Sequence, residues 1–375
     1  MGSRNNTPLD LADDNGGSTE PRRGFWRRHR IVLIAFVSLV SILCVSVLGF
    51  AYALNHSLSN IKKVPITINN SARPTPENTK ALNVLLLGAD AGTARHPKGQ
   101  NKSILDDAAS SHWPVGKYRS DATMLVHISA DRKEVYVVSV PRDSYVKIYD
   151  SAGEPRQDTK INAALSIYGP SGAISTLENF TNLRIDHLAM VDWDGFEAIT
   201  NALGGVRINI PRSYTDTKQG NKTWTKGEQV LKGKDALLYV RERYNLPHGD
   251  FDRVKRQQNF LRAIMTKLVD RGTLTNPIKL KKTLDSFTKN MAVDDDWSAS
   301  GMRSLAFSMR HIHPGNVTFM TIPTKGTASD PIAGSIVVVD KAKCQELFAS
   351  IKADDIGGYL AKHPDTTLQD PNSVS

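Results

Sequence analysis

An uncharged run of 24 residues, 31–54, constrains this chain more than any other feature: it reads IVLIAFVSLVSILCVSVLGFAYAL. As a helix rising about 1.5 Å per residue it would span roughly 36 Å, more than the roughly 30 Å of bilayer hydrocarbon. Arg22, Arg23, Arg27, Arg28 and Arg30 precede it, with Trp26 at the interface position. Positive residues stay on the cytoplasmic side, so 1–30 is expected to be a cytoplasmic tail and 31–54 a transmembrane helix. Everything after Leu54 then lies outside, as a single-pass, membrane-anchored domain. A cleaved signal peptide fits less well, because the run exceeds an h-region and no small-x-small site follows. With its basic residues facing the envelope, the chain is not expected to bind nucleic acid.

The formal net charge is +10; residues 1–30 hold six arginines against four acids, leaving +8 for the rest. An outward-facing basic domain suits an anionic partner such as phosphate, a teichoic-type polymer or lipid headgroups. Cys44 falls inside the apolar run and Cys344 in the outer domain, so the two cannot pair. A domain of this size buries enough core to fold without a disulfide.

Residues 55–80, with Pro65, Pro74 and Pro76, read as an extracytoplasmic linker. Order is expected from Leu82-Asn83-Val84-Leu85-Leu86-Leu87, a buried strand that ends in Gly88-Ala89-Asp90. Residues 91–118 lack a period and read as a long loop, which in compact domains is often functional. Strands are expected at 123–128 and 134–140, joined by a hairpin turn, then near 187–191, 206–210, 317–322 and 336–339. Helical patterns fall near 161–168, 172–182, 194–203, 233–240, 252–270, 277–290, 298–311 and 341–352. Residues 353–375 read as a frayed tail. This mixture of hairpins and strand–helix alternation argues for one α/β sandwich with a mixed sheet.

Common catalytic signatures are missing. The chain has no Gly-x-Ser-x-Gly elbow and no His-Glu-x-x-His, and Gly227…Gly233-Lys234 is one residue too long for a phosphate loop. What recurs is a charged residue where a buried element ends. Asp90 closes the first strand, Arg119-Ser120-Asp121 opens the second, and Arg142 and Asp143 follow the third. Lys160 and Asn162 open a helix; Arg241, Arg243, Arg253 and Gln257 complete the set. If 241–243 is extended, Arg241 and Arg243 point the same way. Paired guanidinium groups suit phosphate, since each fork can donate two hydrogen bonds to it. Asp90 and Asp121 offer the hard oxygens that Mg²⁺ or a similar divalent cation takes while keeping several waters. The arginines would then neutralise a pyrophosphate.

Together these pieces resemble the LytR-CpsA-Psr family of Gram-positive cell-envelope proteins. The resemblance runs through Leu87-Gly88-Ala89-Asp90, Tyr118-Arg119-Ser120-Asp121, Val140-Pro141-Arg142-Asp143 and Lys160-Ile161-Asn162. It continues in Tyr239-Val240-Arg241-Glu242-Arg243 and Arg253-Val254-Lys255-Arg256-Gln257-Gln258. It implies an αβα sandwich around a mixed twisted sheet, with 81–352 as the catalytic domain and an apolar pocket for a polyprenyl chain. It also implies a Mg²⁺-dependent phosphotransferase that moves a glycopolymer from polyprenyl pyrophosphate to peptidoglycan through a phosphodiester bond. Asp90 and Asp121 match the family's metal-holding acids. Arg119, Arg142, Arg241, Arg243 and Arg253 match its pyrophosphate grip, with Lys160, Asn162 and Gln257 on the substrate nearby.

Two places depart from the pattern. The first motif usually continues with an arginine two residues past the aspartate, where this chain has Gly92, and Arg95 is the nearest replacement. In the later motif Asp252 stands where glycine is usual, which leaves Asp250 and Asp252 both open as the acid beside the acceptor. Two further functions stay open at this point: a non-catalytic envelope sensor of polyprenyl pyrophosphate, and a pyrophosphatase acting on the same lipid-linked glycan.

Overall fold

The computed structural model describes residues 52–375 except 54, 78, 91–102, 111, 219–220, 271–275, 369, 372–373 and 375. The expected cytoplasmic tail and nearly all of the 31–54 span therefore lie outside the described residues, as do Gly92 and Arg95. Among the described residues no helix is long and apolar enough to cross a membrane.

In chain order the first half comprises β1 (Lys62–Val64), β2 (Leu82–Asp90), α1 (Ile104–Ala108), β3 (Arg119–Ile128), β4 (Val135–Val140), β5 (Tyr145–Tyr149), β6 (Pro155–Lys160), α2 (Asn162–Thr181), β7 (His187–Asp192) and α3 (Trp193–Ala202). Then come β8 (Val206–Ile210), β9 (Tyr214–Asp216), β10 (Lys222–Trp224), β11 (Gly227–Leu231), α4 (Gly233–Arg241), α5 (Asp250–Leu268), α6 (Pro277–Asn290) and β12 (Met291–Asp294). The last elements are α7 (Ala299–Ser308), β13 (Val317–Thr321), β14 (Thr324–Asp330), β15 (Gly334–Val339), α8 (Lys341–Lys352) and α9 (Ile356–Lys362).

Seven strands form one mixed sheet in the order β1-β12-β7-β2-β3-β4-β13. Neighbours β2, β3 and β4 are antiparallel, whereas β7 runs parallel to β2 and β13 parallel to β4. The near-continuous apolar reading of β2 follows from burial on both faces. Leu85 and Leu87 pack with Leu165 and Leu177 of α2 and with Leu347 of α8. On the other face Met124, Val137 and Phe319 meet Leu261 and Met265 of α5. Helices thus cover both sides of the sheet, and the mixed α/β fold expected from the sequence is present.

The two helices expected at 161–168 and 172–182 are the two halves of α2, which breaks at Gly169 (φ 67°, ψ −165°) beside Pro170. Its left-handed φ suits glycine, and a Cβ there would meet the Trp113 ring at 3.0 Å. Two expectations change. The 55–80 linker is not all stalk: Ile61, Val64 and Ile68 are buried, and β1 pairs in parallel with β12 at the sheet edge. Its lysines hid it, since charge on an edge strand deters further pairing. Nor is 353–375 frayed, because Ile356 and Tyr359 of α9 are buried in the main core and Leu368 N–H bonds Phe319 C=O at 2.7 Å.

Candidate active site

The site forms at one end of the sheet, where β2 stops and β3 begins. Pairing runs Gly88↔Ala122, then Ala89↔Ser120 and Asp90↔Arg119, so Asp121 is the extra residue of a bulge. Such an insertion re-aims a side chain at a strand end. Asp121 accepts a hydrogen bond from Arg142 Nη1 at 2.6 Å. Arg142, just past β4, also lies 3.6 Å from Asp143 and 3.9 Å from Asp250. Burial works against its charge, and Asp121, Asp143 and Asp250 hold its pKa above the ordinary value.

A polar cavity of about 640 Å³ opens here, with Arg119, Arg142, Lys160, Asn162, Arg243 and Asp250 among its walls. Lys160 Nζ stands 3.5 Å from Asp143. Asn162 is the first residue of α2, whose N-cap has no side-chain hydrogen bond. The Asn162 backbone N–H bonds Arg142 C=O at 3.2 Å, which ties the start of the helix to the arginine loop. Asp250 is capped by Gly249 (φ 53°, ψ −113°), a backbone that side chains disfavour, at the start of α5.

Arg253, one turn along α5, is 5% exposed and lies 2.6 Å from Asp250. That ion pair is close but poorly aligned: Arg253 Nε and Nη2, both Asp250 oxygens and Arg142 Nε have no hydrogen bond. Burial, against the opposing pull of Asp250, leaves the Arg253 pKa below its ordinary value. A buried guanidinium in this state gains from a further anion.

Arg241 and Arg243 do not act as an extended pair. Arg241 is the last residue of α4, stands 3.3 Å from Asp90 and lies over the Trp193 ring at 5.6 Å. Glu242 then turns the chain, its carboxylate accepting the Tyr244 N–H at 2.7 Å, and Arg243 joins the cavity wall.

Beneath lies a second, apolar cavity of about 140 Å³, reached by Gly88, Ala122, Trp193, Val240, Gln257 and Phe260. A Cβ at Gly88 would sit 3.1 Å from that of Ala122, so glycine lets the strands and this space coexist. Gln257 belongs here; its amide reaches Val240 C=O at 3.4 Å.

The two acids left open now separate. Asp250 lines the polar cavity; Asp252 does not. Asp252 is 1% exposed and accepts the His248 backbone N–H at 2.9 Å. Burial pushes its pKa up, but His248 and Lys255 pull it lower still, to a net value below the usual carboxylate range. It braces the turn before α5 and stands apart from the cavity, which corrects its place among the catalytic candidates. Arg256 is likewise a strut, bonding Tyr214 Oη at 2.7 Å. Residues 241–258 did not mark Tyr244, an exposed ring on the cavity wall, nor Trp193 under Arg241.

Whether a divalent cation suits this place is a question of donors. Asp90 and Asp121 come to adjacent strand ends, each beside an arginine. Among the described residues no group of three His, Cys, Asp or Glu side chains is placed to hold a metal. Two carboxylates make no closed cage, but they fit an ion that keeps waters and is completed by phosphate oxygens.

A model of the LytR_cpsA_psr family matches residues 45–353. The chain belongs to this family. It is 26% identical over 341 residues to the cell wall biosynthesis protein LcpA of Corynebacterium glutamicum, covering 84% of this chain and 65% of that protein's length. It is also 29% identical to the polyisoprenyl-teichoic acid–peptidoglycan teichoic acid transferase TagU of Enterococcus faecalis, over 75% of this chain and 84% of the relative. The crystal structure of TagV from B. subtilis shares the fold, with a TM-score of 0.58 at 23% identity over 74% of this chain and 98% of that one.

Proposed function

We propose that this family member is a membrane-anchored glycopolymer–peptidoglycan phosphotransferase, taking its glycopolymer from a polyprenyl pyrophosphate carrier. One observation carries the reading: β2, β3, α4 and α5 each give an apolar residue to one cavity and a charged residue to the adjoining site. Gly88 and Asp90, Ala122 and Asp121, Val240 and Arg241, Phe260 and Arg253 are those pairs. Such a site matches a molecule whose apolar chain ends in pyrophosphate. The names of the relatives, which describe transfer of teichoic acid to peptidoglycan, support the same chemistry.

In this reading Arg119, Arg142, Arg243 and Arg253 bind the pyrophosphate and stabilise the charge that spreads over its oxygens during transfer. Lys160 takes the remaining phosphate charge. An acceptor sugar hydroxyl attacks the glycan-bearing phosphorus and forms a phosphodiester. The bond to the second phosphate breaks, and polyprenyl phosphate leaves. Asp250, in the cavity and unencumbered by good hydrogen bonds, takes the hydroxyl proton. Asp90 and Asp121 would hold Mg²⁺ against the phosphates, where it supplies charge neutralisation. Arg241, paired with Asp90 and lying over the Trp193 ring of the apolar cavity wall, would stand beside the lipid end.

The test is to incubate the full chain with a labelled lipid-pyrophosphate glycan and peptidoglycan. The reading expects label in the insoluble wall fraction as a phosphodiester, lost in Arg142→Ala. Label released as soluble phosphorylated glycan would indicate a hydrolase, and label bound but unchanged would indicate a sensor.

A further inference from the structure

Helix α6 has two unlike faces. Phe287 lines the apolar cavity, and Leu280 and Leu284 flank it in the same inward half of the helix. Ile278 lies nine residues earlier, two and a half turns at about 3.6 residues per turn, and so on the opposite side. It is 79% exposed. Lys279 and Lys282 are exposed beside it, and Lys281 is half-buried, paired with Asp285 at 2.6 Å. Four lysines (Lys279, Lys281, Lys282, Lys289) against one Asp285 give the helix +3. A large apolar side chain ringed by lysines on an exposed face is the pattern of a surface that settles on anionic lipid.

The second observation is where the chain crosses this face. Ser57 Oγ donates to Asp285 at 2.5 Å and also bonds Ala53 C=O at 3.0 Å. Asp285 lies on the same outward stripe as Ile278 and Lys282, seven and three residues away. Ser57 is three residues past the end of the uncharged run at Leu54, so a chain leaving a bilayer there has at most about 10 Å to reach α6.

We propose that the amino-terminal half of α6 rests on the anionic membrane surface, with Ile278 inserted among the headgroups and Lys279 and Lys282 on lipid phosphates. This rests on the anchoring in the proposed function and extends it. It sets the wall of the apolar cavity against the bilayer, so a polyprenyl tail passes from membrane to cavity around one helix. An anionic wall polymer would engage the lysines but give Ile278 no apolar surroundings, so lipid is the better occupant.

The test uses the full chain with Cys44→Ser, reconstituted in phosphatidylcholine vesicles containing about one-third phosphatidylglycerol. Ile278→Cys carries an environment-sensitive fluorophore. Gly357→Cys, in α9 on the other face of the sheet and with no atom within 4 Å of an added Cβ, carries the same label as control. The expected result is quenching of the 278 label by brominated lipid and loss of its quenching by aqueous iodide, while the 357 label shows the reverse. Adding Lys279→Glu and Lys282→Glu should lower the lipid-contacting population by roughly tenfold or more, since each lysine near such a surface is worth about fivefold. If the chain floats with the vesicles but both labels respond alike, this inference is overturned and anchoring stands. If the chain does not float, anchoring fails and this inference falls with it.

Discussion

The polar and apolar cavities both draw on β3 and α5 yet are built by opposite rules. The polar one is made of element ends: the start of β3 at Arg119, Arg142 just past β4, the start of α2 at Asn162 and the first turn of α5 at Asp250. Its Arg142 is held by Asp121 and Asp143 but left with an Nε that has no hydrogen bond, as is the Nε of Arg253 behind it. The apolar one is made of element interiors, where Gly88, Ala122, Val240 and Phe260 leave space without a polar demand. Ends can carry charge because water and counter-charges reach them; interiors can offer only shape. A ligand that needs both must be charged at one end and greasy at the other.

Removing charge from the polar side should have the largest effect. Arg142→Ala and Arg243→Ala should each lower transfer by about 10³ or more, the range seen when an arginine stabilises a phosphoryl transition state. Melting temperature should stay close to the parent's. Rates near normal in either variant would reduce the polar cavity to a surface ion-pair network.

Filling the apolar side tests the other half. Ala122→Phe projects into that cavity and should displace about one isoprene unit. At roughly 0.8 kcal/mol for each of its five carbons that costs about 4 kcal/mol, a loss on the order of 10³-fold in affinity for long-chain substrate. A substrate with a very short chain should be handled almost as by the parent. Equal losses for both chain lengths would mean that the variant had damaged the sheet and not the lipid site.

Much of the polar half was legible in the sequence, because an apolar run that stops at a charged residue announces a strand end. What the sequence could not show is the bulge that turns Asp121, since a one-residue slip leaves no mark in composition. Nor could it separate Asp250 from Asp252, which differ only in which side of the first helical turn they occupy. Arg241 and Arg243 would point the same way only if 241–243 were extended, but α4 continues through Arg241 and splits them. The apolar cavity was illegible from residue pattern, because its walls come from eight elements and each reads as ordinary core. The β5–β6 hairpin was missed for a plainer reason: Pro155-Arg156-Gln157-Asp158-Thr159-Lys160 has no apolar alternation. The buried residues of 353–375 are too widely spaced to announce a packed segment.

Smaller effects mark residues outside both cavities. Asp252→Asn should cost about 1–3 kcal/mol of stability by weakening the bonds that brace His248, with transfer reduced only as the turn loosens. The sign with pH follows from the lowered pKa. The parent keeps the full contribution of Asp252 above the unfolded value of about 4 and loses it as pH falls through the lower folded value. Acid melts should therefore show a shallower pH dependence in Asp252→Asn than in the parent; equal slopes would take Asp252 out of the account. Lys255→Ala removes only a partly exposed pair at 3.5 Å and should change stability by at most about 1 kcal/mol.

The central claim is that one ligand occupies both cavities. The direct measurement is the affinity of the full chain, with Mg²⁺ present, for a series running from inorganic pyrophosphate through prenyl pyrophosphates of increasing length. Affinity should rise with each added isoprene until the apolar space is filled; Ala122→Phe should flatten that rise, and Arg142→Ala should lower the whole series. Affinity that stays at the pyrophosphate value whatever the chain length would contradict the claim, leaving an anion site above an unrelated void.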